Sequence, residues 1–79
     1  MTQVWLAVRL RAPEDRPMMT AFYKEDEARN FANECICLYN ASLSRFSGIT
    51  PVPFMAENEY QTPRLPDMDA WYMEPATIH

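Results

Sequence analysis

The sequence predicts a small α+β domain: a three-stranded antiparallel sheet in the order 2-1-3, with one long helix packed on one face. Three observations carry this. Residues Gln3 to Arg11 alternate with period two, as a half-buried strand does. Residues Tyr23 to Gly48 hold the one long helical period of the chain. With 79 residues, the chain has the length of one domain.

In the first strand Val4, Leu6, Val8 and Leu10 point one way, and Trp5, Ala7, Arg9 and Arg11 the other. The all-apolar set is the expected seat of the helix. A three-stranded sheet with a single helix leaves its second face open. Trp5, Ala7 and Arg9 on that face are therefore candidates for a dimer interface. Ala12 to Pro17 is a polar connection with turn chemistry, and Met18 to Tyr23 is a second short strand. The short connection makes the two strands an antiparallel hairpin.

The helix follows directly. Ala28, Phe31, Ala32, Cys35, Leu38, Tyr39, Ser42, Leu43 and Phe46 form its apolar or small stripe, with polar residues, Asn33 and Asn40 among them, opposite. Glu25, Asp26 and Glu27 favour the positive end of the helix dipole. Lys24 stands at the N-cap position and offers no acceptor there. The sole glycine, Gly48, is placed for a left-handed cap, and Pro51 forbids continuation. Cys35 and Cys37 diverge by about 200° on a helix, so they do not bond each other. Cys35 faces the core and Cys37 lies off it, which suits a reducing cytoplasm.

Ile49 to Ala56 is the expected third strand. Pro51 and Pro53 confine it to a sheet edge, where outward amides have no partner to lose. From Asn58 the chain is polar, acidic and rich in proline, irregular or with a short helix over Leu65 to Met73. The chain thus divides into a β-β-α-β domain, residues 1–57, and a docked C-terminal segment, residues 58–79.

Charge and composition exclude much. The net charge is −4, with residues 1–24 net +2, 25–56 net −2 and 57–79 net −4. Such a balance does not suit direct contact with nucleic acid, because neutralising phosphates needs clustered Lys and Arg. One glycine rules out a glycine-rich phosphate loop. The single histidine, His79, is the last residue, so neither a cysteine nor a serine has a histidine placed as its base. The carboxylate pairs Glu57/Glu59 and Asp67/Asp69 lie in proline-flanked loop without rigid acid–base spacing. No catalytic residue, cofactor or metal site is expected. The N-terminus lacks the regions of a secretory leader, and no stretch has the length of a membrane span. The expected location is the cytoplasm. With 48% hydrophobic residues the chain carries more apolar material than a small monomer hides, so a partner or a homodimer is expected.

The junction Phe22-Tyr23-Lys24-Glu25-Asp26-Glu27-Ala28-Arg29-Asn30-Phe31-Ala32 resembles a pattern of small phage and mobile-element proteins: a strand ending in an aromatic, an acidic helix start, then Ala-x-x-Phe. In size, acidity and lack of catalytic parts the chain is similar to anti-CRISPR proteins. That resemblance implies a non-enzymatic inhibitor occupying a nucleic-acid-binding or partner surface of a bacterial defence complex. Its expected partner-binding residues are Glu25, Asp26, Glu27, Glu57, Glu59, Asp67 and Asp69, facing a basic groove, with Trp71 and Tyr72 as aromatic anchors. The alternative is a homodimeric structural or adaptor module without inhibitory role.

Overall fold

The computed structural model describes residues 1–46 and 48–79. Strands β1 (Thr2–Arg11), β2 (Arg16–Phe22) and β3 (Ala70–Ile78) form one antiparallel sheet in the order β2-β1-β3. Helix α1 (Glu25–Leu43) crosses one face. The fold class, strand order and single long helix are those the sequence predicts. The extents are 47 × 25 × 17 Å. The shortest fits one helix on one sheet, since packed layers lie about 10 Å apart.

The third strand comes from a different place. Residues 49–56 lie outside the sheet, and β3 is supplied by residues 70–78, paired from Thr2↔Ile78 to Leu10↔Ala70. The boundary expected after residue 57 therefore divides a single sheet, and the short helix expected over 65–73 is a turn at 66–68 followed by strand. Ala-Trp-Tyr-Met-Glu-Pro-Ala-Thr-Ile is rich in strand formers, and its proline sits harmlessly. Trp71 C=O and Met73 N–H point away from β1, accepting from Thr62 N–H and donating to Tyr60 C=O. Pro75 belongs to the same outward set, so its missing N–H costs β1 nothing.

The displaced segment has its own seat. The Asn40 amide accepts from Val52 N–H and donates to Val52 C=O, both at 2.9 Å. Asn33 does the same with Met55, also at 2.9 Å. The spacings match. Seven helical residues rise about 10.5 Å, and three residues of an extended proline-type chain advance about 9.3 Å. Val52 and Met55 thus fall on one side of the segment and are buried beside α1, while Pro51, Pro53 and Phe54 stay exposed. The prolines occupy positions whose amides had no partner to find. The two asparagines expected on the solvated face of the helix are thus its strap-holding face.

The helix is shorter than expected. It ends at Leu43 with Ser44 as C-cap, and Ser44 N–H bonds Asn40 C=O at 3.1 Å. Gly48 is left-handed, φ +82, but lies beyond that cap. Ser47, inside the expected helix, is outside the described residues. The acidic first turn and the N-cap Lys24 without a side-chain bond are as expected. Both cysteines are free, Cys35 packed against the core and Cys37 exposed.

The sheet faces are exchanged relative to expectation. The core under α1 joins Ala7, Ala28, Ala32, Ile36, Val52, Met55, Trp71 and Met73, with Trp5 and Phe22 packed against it. Alanines at 28 and 32 bring the helix close, which requires a small residue beneath them, and Ala7 is the small residue at the middle of β1. The uninterrupted set Val4, Leu6, Val8 and Leu10 faces the other way.

Candidate protein-binding surface

Because α1 covers the face of Trp5, Ala7 and Arg9, these residues are not the open surface expected of them. Arg9 has a structural role. Its guanidinium contacts Asp69 Oδ2 through Nε at 2.8 Å and Nη2 at 2.7 Å, and lies over the rings of Tyr39 and Trp71. The other carboxylate oxygen of Asp69 accepts from Ala12 N–H at 2.9 Å, and Asp69 N–H donates to the Tyr39 hydroxyl at 3.1 Å. Asp69 is buried and Trp71 is 2% exposed, edge-on to Tyr39. Neither is placed to meet a partner; together they fasten the start of β3 to the hairpin and helix.

The remaining acids divide. Glu25 forms an i,i+4 ion pair with buried Arg29 at 3.0 Å. Arg29 also donates to Glu59 C=O and lies over Tyr60, which stacks on Trp5. The Tyr60 hydroxyl, then the Arg29 guanidinium, hold the Glu25 carboxyl below its ordinary range, and the same bond raises Tyr60. A Glu59 carboxylate oxygen accepts from Ala56 N–H. These contacts bring the turn at 57–58 to the N-terminal end of α1. Asp26, Glu27 and Glu57 are exposed there. Glu74, opposite Leu6, lies at the middle of β3. Asp67, exposed and left-handed at φ 58, belongs to the opposite end, near Arg64 and Asp15, which pair at 2.7 Å.

Sorting every charge this way gives a segregated molecule. One end holds Glu25, Asp26, Glu27, Glu57 and Glu59 against Lys24 and Arg29, a net of −3, and Glu34 and Glu74, midway along α1 and β3, add −2. The hairpin end sets Arg9, Arg11, Arg16, Arg64 and, just past α1, Arg45 against Glu14, Asp15, Asp67 and Asp69, a net of +1.

The second face of the sheet carries no further layer among the described residues. Register places Val4, Leu6, Val8 and Leu10 on it, with Met19 and Ala21 from β2 and Tyr72, Ala76 and Ile78 from β3. Val8 is closed over by its neighbours, whereas Met19 is 59% exposed and Ile78 is 53% exposed. Glu74 is the one charged residue that register puts there among β1–β3. Tyr72 is the expected anchor that does lie on an open surface.

The chain's strongest alternation was the signal for this face, and it points outward. The buried role of Arg29 and the paired roles of Asn33 and Asn40 carry no signal of their own, since single polar residues on a helix read as solvated. No helix among the described residues is long and apolar enough to cross a membrane. Comparison with protein-family models, curated proteins and solved structures finds no match.

Proposed function

We propose that this chain acts as a non-enzymatic, protein-binding inhibitor in the bacterial cytoplasm, docking on a cationic, nucleic-acid-binding surface of its target as anti-CRISPR proteins do. The observation that carries this reading is the concentration of acidic residues at the N-terminal end of α1, net −3 against +1 at the hairpin end, adjoining an uncovered apolar sheet face. The target would present a basic groove to Glu27, Glu57 and Glu74 and an apolar strip to Leu6, Met19 and Tyr72. Charge complementarity of this kind sets orientation and association rate, while the apolar contacts hold the complex. The occupant of the sheet face is a foreign protein and not a second copy. A second copy on this face offers Glu74 no cation from β1–β3, so its carboxylate would be covered by apolar residues or by another Glu74.

The test is DNA cleavage by purified RNA-guided nucleases with the chain added in stoichiometric amounts. Inhibition that weakens with rising salt is expected, with loss in the triple variant Glu27→Lys, Glu57→Lys, Glu74→Lys. Those side chains have no fold contact described above, so the variant keeps the structure. Inhibition surviving the triple reversal refutes the charged-end reading, and no inhibition of any nuclease tested counts against the inhibitor.

A further inference from the structure

We propose that the free edge of β2 and the exposed stripe of α1 above it are the interface of a symmetric homodimer, formed by antiparallel pairing of β2 with β2 of a second copy about Met19. The dimer uses the backbone edge of β2 and the α1 side of the sheet, whereas the inhibitory reading uses side chains of the opposite sheet face, and Met19 alone belongs to both, through its backbone here and its side chain there.

The backbone parity follows from the other side of the sheet. Trp71 and Met73 turn their peptide groups outward to Thr62 and Tyr60. Tyr72 therefore bonds inward to its partner Val8, which spends the groups of Val8 on β3. Met19, opposite Val8 on β2, then points its N–H and C=O outward, as do Ala21 and Pro17. The one proline in the strand thus lies where it leaves the β1 ladder whole. The outer edge offers the N–H of Met19 and Ala21 and the carbonyls of all three.

Strand β2 runs Arg16–Phe22, so Met19 is its midpoint. Two-fold pairing there makes Met19 bond Met19 reciprocally and lets each Ala21 N–H reach the opposing Pro17 carbonyl. Pro17 has no N–H to return, so each opposing Ala21 carbonyl is left to water at the end of the ladder. The register sets no like charges opposite one another: Arg16 faces Phe22, and extended outward Glu14 faces Lys24. Nothing among the devices that blunt natural edges, such as an inward charge or a bulge, interrupts residues 18–22.

The helices make the same match. Phe31 tilts against Phe22 at 5.3 Å, and Phe31 and Cys35 line a cleft of about 90 Å³ with Met18 and Thr20. Leu38, one helical repeat on from Phe31, is 73% exposed. Two copies joined through β2 place their β1 strands about 14 Å apart, three strand spacings. Helices seated over β1 then lie a few ångströms beyond the 8–10 Å of a close pair. Facing rows of Phe31, Leu38 and Met18 have the bulk to fill that gap. The exposed apolar residues of α1 thereby acquire a cover that the monomer does not supply.

Sedimentation equilibrium of the full chain tests this. Wild type is expected at twice 9.3 kDa. Met19→Pro removes only outward hydrogen bonds, and Leu38→Glu places like charges face to face across the axis; each should halve the mass while the circular dichroism spectrum persists. Register is tested in a Cys35→Ser, Cys37→Ser background. Met19→Cys should cross-link to itself on mild oxidation, because directly opposed residues lie at disulfide distance. Ala21→Cys should not. A wild type that stays at 9.3 kDa overturns the proposal. So does a dimer that survives both Met19→Pro and Leu38→Glu, or cross-linking through Ala21→Cys in place of Met19→Cys.

Discussion

The two flanks of α1 are built from similar materials and finished differently. On the β3 flank, Asn33, Asn40 and Arg29 bond the backbone of residues 52–59, and Val52 and Met55 are buried beneath that chain. On the β2 flank, Phe31 and Met18 line an open cleft with Leu38 exposed further along α1, and Trp71, which also lines the cleft, has a buried indole N–H with no acceptor among the described residues. The difference teaches that polar residues close this fold while apolar ones are left open. A side-chain amide can take both groups of a peptide at once, so one asparagine anchors a segment unable to join a sheet. An apolar stripe has no such directional hold and waits for a surface.

The contrast can be broken in order of severity. Trp71→Ala should cost about 3–5 kcal/mol in chemical denaturation, because it empties the core position joining Arg9, Tyr39 and the helix. A Trp71 that served only as a binding anchor would leave stability unchanged. Asp69→Ala should cost about 2–4 kcal/mol by leaving Arg9 and Ala12 N–H without their acceptor. Asn33→Ala and Asn40→Ala should each cost about 1–3 kcal/mol, since each orphans a peptide on the closed flank. Raised amide exchange confined to residues 50–56 would confirm the route.

Acid should act on the N-terminal end of α1. The folded Glu25 carboxyl titrates below its ordinary range, so its contribution is present above that range and fades as pH falls through the lowered value. Glu25→Gln should flatten this acid limb of the stability–pH curve; an unchanged limb would dissociate Glu25 from Tyr60 and Arg29. On the open flank, Leu38→Ser should shift monomer stability by no more than about 0.5 kcal/mol. A larger loss would mean that the stripe is already covered within one chain.

Much of the fold is legible in the residues. The hairpin, the helix with its acidic start and the 2-1-3 order follow from period and turn chemistry. The identity of the third strand does not. Two segments, 49–56 and 70–78, each carry apolar residues and proline, and both can be written as edge strands. What separates them is tertiary: amide side chains at 33 and 40 meet a three-residue repeat, and Trp71 completes a cluster with Arg9 and Tyr39. The orientation of β1 is hidden for a related reason. Its most hydrophobic face looks like core, but close approach of α1 through Ala28 and Ala32 rewards the face with the smaller Ala7. Of the expected partner residues, the exposed acids kept that role open, whereas Asp69 and Trp71 were absorbed by the fold because their spacing to Arg9 is visible only once β3 pairs with β1.

The charge segregation has a kinetic consequence. The molecule is 47 Å long, whereas fields in physiological salt decay over about 8 Å. The acidic end is therefore electrostatically blind to the arginines of the hairpin end, and the chain behaves in solution as a polarised rod with a negative tip. A cationic surface would turn such a rod before touching it, so that most encounters begin tip-first and the search for the correct orientation is largely over at first contact.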